Sequence, residues 1–317
     1  MIAVAAVVSA IAGVPVLYDG GEETAVLALV AARTGLPLEA LTAWPLNRLL
    51  DGPPMVLGDA VLRRCTSPPH RTEGSGTQNN AVKAEWVRAT AAWSARADAF
   101  ATDDHLDLAV ATLGCLNELV DVGVASEVFA LRGAAAASSG NVDASRYELR
   151  TALNFRPDML WSSLNPVSGA QDLEVVRAEA GRVALAVTPD GVPSGPWLDG
   201  IVLTDGMSVR PGLHLFQTST GSGFETSWVT VGGDVEFVIP ASFPPGILGT
   251  LHTDATRAQM LSLLRARFPD FSAAYVSHQG GLWLLVSEAG SLTMTELTAI
   301  PQIKTPVRKP KTGAKKI

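Results

Sequence analysis

The sequence predicts an α+β chain with a helical N-terminal half and a β-rich C-terminal half. Three observations carry that expectation. Apolar residues at three- and four-residue spacing dominate the first half. Short alternating segments, broken by Asp-Gly and Gly-Gly pairs, dominate the second. The two kinds follow one another instead of interleaving, which argues against a doubly wound sheet.

Residues 2–17 are uncharged and almost wholly apolar, with Ser9 the one polar side chain. The run is shorter than the ~20 residues that span a bilayer. No Lys or Arg precedes Arg33, so a signal peptide is the lesser reading and a buried helix or strand the expected one. Glu22 to Arg33 has helical spacing and ends at Gly35, a left-handed cap residue. Pro37 opens a second short helix through Leu50, which Gly52-Pro53-Pro54 stops, and residues 55–64 add a further turn or two. Thr66 to Asn80 reads as a loop. Ala81 to Ala101 and Leu106 to Val120 read as strong helices, with Asp103 and Asp104 capping the second. Residues 134–140, rich in Ala and Ser, read as a hinge.

Leu173 to Val187 alternates around Glu179-Ala180-Gly181 and reads as a hairpin. Leu213 to Gln217, Trp228 to Val231 and Val235 to Ile239 read as strands, the last two joined by a turn at Gly232-Gly233-Asp234. Thr253 or Asp254 caps a helix to about Phe268. Strands over 271–277 and 282–287 flank Gln279-Gly280-Gly281, giving a helix-plus-hairpin unit, and Leu292 to Ile300 adds a strand. Pro301, Pro306 and Pro310 keep the last segment extended. The expected organisation is therefore a mainly helical region over 1–133, a linker over 134–170, a β-rich α+β region over 171–300 and a flexible basic tail over 301–317.

The 317 residues carry a net charge of −7, with 47% hydrophobic and 17% charged residues. Soluble domains average about 25% charged. The composition excludes a disordered chain. The charge is also unevenly placed. After Glu296 no acid occurs, and Lys304, Arg308, Lys309, Lys311, Lys315 and Lys316 follow, which leaves −13 on residues 1–296. An extended polycation of this kind suits salt-dependent contact with phosphates, or docking on an acidic neighbouring subunit.

Recognisable catalytic motifs are missing. Lys83 is the one lysine before the tail, so no phosphate-binding loop with its Lys can form. Gly74-Ser75-Gly76 and Gly221-Ser222-Gly223 lack the third glycine of a dinucleotide fingerprint. No GxSxG or HExxH occurs. Asp103-Asp104-His105-Leu106-Asp107 is the most metal-like cluster, and His252-Thr253-Asp254 resembles it; helix capping explains both more simply. Cys65 and Cys115 make no CxxC pair and are expected as free buried thiols in a reducing compartment. Trp86 and Trp93, seven apart on one helix, are read as a core stripe or as interface candidates.

These features point to a non-enzymatic structural subunit of a large assembly, of the viral or phage shell kind. Its expected partners are copies of itself or other shell subunits, and nucleic acid through the tail, with no membrane, cofactor or metal. Such a protein belongs in a virion, and otherwise in the cytoplasm. Two alternatives stand beside it. One is a hydrolase or transferase with a non-motif site, with Asp104, His105 and Asp107, or His252 and Asp254, as the residues to test. The other is a cytoplasmic adaptor.

Overall fold

The computed structural model describes residues 13–65, 77–95, 99–161, 167–179, 181–192, 195–244 and 246–297. Among them are eight α-helices and two sheets, an α+β fold with helices concentrated before residue 180 and strands after it. The chain divides into two compact units, and the first draws on both ends of the sequence: residues 1–49, 245–261 and 270–317.

In the first unit, β1 (Val14–Tyr18) is followed by α1 (Glu23–Thr34) and β2 (Leu41–Pro45). Gly35 closes α1 in the left-handed conformation, and its N–H donates to Ala31 O. The short helix α2 (Leu46–Leu50) follows. Late in the chain, α8 (Asp254–Arg267) begins where Thr253 Oγ1 accepts from Thr256 N. It precedes β10 (Ala273–His278), β11 (Gly281–Glu288) and β12 (Ser291–Glu296). The sheet order is β12-β11-β10-β1-β2, with β1 parallel to both neighbours and the remaining pairs antiparallel. Val26 and Val30 of α1 pack on Val16, Tyr18, Leu41 and Leu282. The alternating β1–α1–β2 unit was not expected. Residues 41–45 read as helix in isolation, but their backbone pairs along the full length of β1.

The second unit comprises residues 50–244 and 262–269. A helical layer is built from α3 (Gln78–Ser94), α4 (Ala99–Leu113), α5 (Val122–Ser138), α6 (Val142–Phe155) and α7 (Val167–Ala178). Thr77, Asp121 and Asn141 cap α3, α5 and α6 with their side-chain oxygens. The sheet contains β3 (Met55–Arg64), β4 (Val183–Thr188), β5 (Trp197–Leu198), β6 (Ile201–Val202), β7 (Ser208–Val209), β8 (Gly212–Thr220) and β9 (Gly223–Val238). Its order is β6-β5-β8-β9-β4-β7, and β3 also pairs with β9. Alternation along the strands serves two cores. Leu215 and Trp228 meet Phe129, Leu149 and Phe155 of the helices. Phe216, Val229 and Phe237 build a second core with Leu185 and Leu198.

Five expectations are corrected here. Residues 55–64 are a strand and not helical turns, because they pair antiparallel with β9 throughout. α3 ends at Ser94 and α4 begins at Ala99, so Asp103 and Asp104 lie inside α4 and do not cap it. Within the span expected as a linker, residues 134–155 are largely helical: α5 runs to Ser138 and α6 is buried along Leu149, Ala152 and Leu153. Residues 167–178 are helical because Leu173 and Val176, three apart, both enter the helical core. Gly232-Gly233-Asp234 is mid-strand. A Cβ at Gly232 would meet Asp59 Oδ2 at 2.4 Å, so the glycine accommodates the bulge in β3 instead of making a turn.

Candidate functional site

The sequence-nominated residues fall into three groups. Lys304, Arg308, Lys309, Lys311, Lys315 and Lys316 lie outside the described residues. Trp86 and Trp93 both pack against the helical core from a partly buried position. Trp93 also lines an open cavity of about 370 Å³, with Asp103, Asp107, Arg132 and Glu148 around it. Burial is the largest influence on Glu148 and pushes its carboxyl above the ordinary value, against the pull of Arg132.

The metal-like residues disperse. His105 Nδ1 bonds to the buried Glu85 Oε2 at 2.8 Å, and Glu85 also binds Arg88. Asp107 pairs with Arg132, while Asp254 pairs with Arg257 at the start of α8. No cluster of three metal-ligating side chains forms among the described residues. Cys65 and Cys115 are not free: they form a disulfide that ties the end of β3 to the segment after α4. Fifty residues of separation hid their proximity, and the bond removes the basis for expecting a reducing compartment.

Two acid–histidine pairs stand out instead, one in each unit. In the first unit, Asp19 directly follows β1 and His278 ends β10. The parallel neighbours of β1 are reached by different connections, α1 leading to β2 and α8 leading into β10. Asp19 and His278 therefore lie at the carboxyl ends of two adjacent parallel strands. There His278 Nδ1 bonds to Asp19 Oδ2. The carboxylate holds the ring through Nδ1, and Nε2 has no hydrogen-bond partner among the described residues. A Cβ at Gly249 would stand 3.3 Å from that Nε2, and the Trp283 ring is 6.5 Å away between centroids. The two residues are 259 positions apart, and nothing in the sequence links them.

In the second unit the pair is internal. His214 Nδ1 donates to Asp199 Oδ2 at 2.6 Å, and Asp199 Oδ1 accepts from Leu215 N at 2.8 Å. His214 Nε2 donates to the Arg210 carbonyl at 2.8 Å. Burial is the largest influence and opposes the charged ring, but the Asp199 carboxylate and the carbonyl outweigh it, so the His214 pKa is raised. Asp199 reaches this position from a left-handed backbone, φ 51°, followed by Gly200 at φ 77°. The Asp-Gly pair signalled a turn in the sequence but not an inward carboxylate. With both residues buried, this pair fastens the start of β8 and has no access to substrate.

Comparison with known protein families, with curated proteins and with solved structures finds no match.

Proposed function

We propose that the chain is a structural subunit of a large assembly, of the viral or phage shell kind. Its basic C-terminal arm, from Lys304 to Lys316, would contact nucleic acid or a neighbouring subunit. The observation that carries this reading is the partition of charge, −13 over residues 1–296 and +6 after them, on a chain with 17% charged residues. Apolar side chains left open on the helical layer support it. Val87 of α3 is 51% exposed, Tyr147 of α6 and Val175 of α7 are exposed, and Leu160, between α6 and α7, is 81% exposed. Surface of that kind suits coverage by partners.

Light scattering and negative-stain microscopy of the purified full chain test the reading, together with the 260/280 nm absorbance ratio. A particle of many copies is expected. Removal of 301–317 should keep the particle and lower the ratio. A monomer at high concentration refutes the proposal.

A specific observation favours a second reading, a hydrolase or transferase. The Asp19–His278 pair lies at the carboxyl ends of adjacent parallel strands, with His278 Nε2 unbonded among the described residues. If it works as a general base, His278→Ala should lower turnover of a responsive ester or phosphoester by about 10²-fold or more, with unfolding unchanged. A panel of such substrates giving equal rates for both proteins removes this reading.

A further inference from the structure

The antiparallel register of β4 and β7 pairs Val183 with Val209 and Ala184 with Ser208. Carried one residue outward, it sets Arg182 opposite Arg210. Like charges directly opposed across a strand pair repel. Arg182 is exposed, whereas Arg210 is only 8% exposed, and its buried Nε finds no hydrogen-bond partner among the described residues. Buried donors of this kind are normally paired.

The neighbouring acids are already engaged. Arg150 takes both oxygens of Glu179, at 2.8 and 2.7 Å, and covers Gly212, where a Cβ would stand 3.3 Å from Arg150 Cδ. Asp172 binds Arg146, and Glu174 binds Arg177. On the other side, a Cβ at Gly181 would lie 3.9 Å from Pro211 Cδ, so the segment carrying Arg182 abuts the one carrying Arg210. Burial is the largest influence holding the Arg210 guanidinium below its ordinary pKa, and the Arg182 charge adds to it against Glu179.

We propose that the edge formed by Arg182 and Arg210 is an oxyanion site that binds a dianionic phosphate, either free or as a terminal phosphomonoester. Two guanidinium forks beside a carboxylate already committed to Arg150 favour two negative charges over one. A phosphate offers three acceptor oxygens. The main chain around Arg210 is meanwhile fixed, since its carbonyl accepts from His214 and Asn154 Nδ2 donates to Leu213 O. This site is independent of the C-terminal arm.

Calorimetric titration of the full chain at pH 7.5 and constant ionic strength tests it, with inorganic phosphate, methyl phosphate, dimethyl phosphate and chloride as the probes. Phosphate binding is expected, and Arg182→Gln should weaken it at least tenfold. The exposed position of Arg182 makes this variant safe for folding, and its ligand-free melting temperature should equal or exceed that of the parent because a repulsion is removed. The chain lacking 301–317 should bind phosphate as the parent does. Methyl phosphate binding alongside inorganic phosphate identifies a terminal ester as the ligand; inorganic phosphate alone identifies the free ion. No binding above chloride, equal binding by Arg182→Gln, loss of binding on removal of the arm, or preference for dimethyl phosphate overturns the proposal.

Discussion

His214 and Asp199 show how a single pair of side chains ties fold stability to pH. The His214 pKa is raised in the folded protein, so the folded state holds this proton more tightly than the unfolded chain. The stabilisation is complete below the unfolded histidine value of about 6.5 and declines as pH rises through the higher folded value. Melting temperature is therefore expected to fall from pH 6 towards pH 9. His214→Gln should remove that dependence and lower stability at pH 6, by about 3 kcal/mol because Asp199 loses its cationic partner. A variant with the same pH slope as the parent contradicts this assignment. At this scale the sequence is nearly silent. His214 is one of five histidines, and an Asp-Gly turn looks the same whether its carboxylate faces water or, as at Asp199, the interior.

Among the elements, the segment between α4 and α5 is the one most heavily fastened. Gln217 accepts from Val120 N and donates to Glu118 O, while Asn79 donates to Leu119 O and accepts from Asp121 N. The Cys65–Cys115 disulfide adds a covalent link to β3. Closing a loop of 50 residues stabilises a fold by about 4 kcal/mol through the unfolded chain's lost entropy. Cys65→Ser with Cys115→Ser should lower unfolding free energy by up to that amount in urea titrations, and reduction of the parent should match the double variant. Identical midpoints with and without reductant refute it. The start of α8 and the β10–β11 hairpin are legible in the sequence, since their capping and turn residues act locally: Thr253 caps α8, and Gln279 and Gly280 adopt φ 48° and 80° between β10 and β11. The end of α5 is not. Its alanines and Gly133 look like a hinge, but a Cβ at Gly133 would meet Leu149 Cγ at 2.7 Å, so small residues are there to let α6 approach.

For the whole molecule, the division into units follows contacts and not chain order. The N-terminal strand β1 lies between β2 and β10, whose pairing residues come from opposite ends of the sequence. The four sequence regions 1–133, 134–170, 171–300 and 301–317 therefore do not coincide with the compact units. If the arm binds duplex nucleic acid through its six cations, the logarithm of the binding constant should fall with the logarithm of salt concentration at a slope of about −5. Filter binding across a salt series measures it, and a slope unchanged by removal of 301–317 places the contact elsewhere.

The sequence by itself determined the α+β class, the caps at Gly35 and Thr253, the final helix with the β10–β11 hairpin, and the placement of positive charge in the last segment. These depend on neighbours within a few residues or on composition. Only the tertiary structure decided the strand nature of 41–45 and 55–64, the disulfide, the pairings Asp19–His278 and Asp199–His214, and the pairing of β4 with β7. Each of these joins residues from separate elements. Their meeting is fixed by sheet register and core packing, which no local spacing encodes.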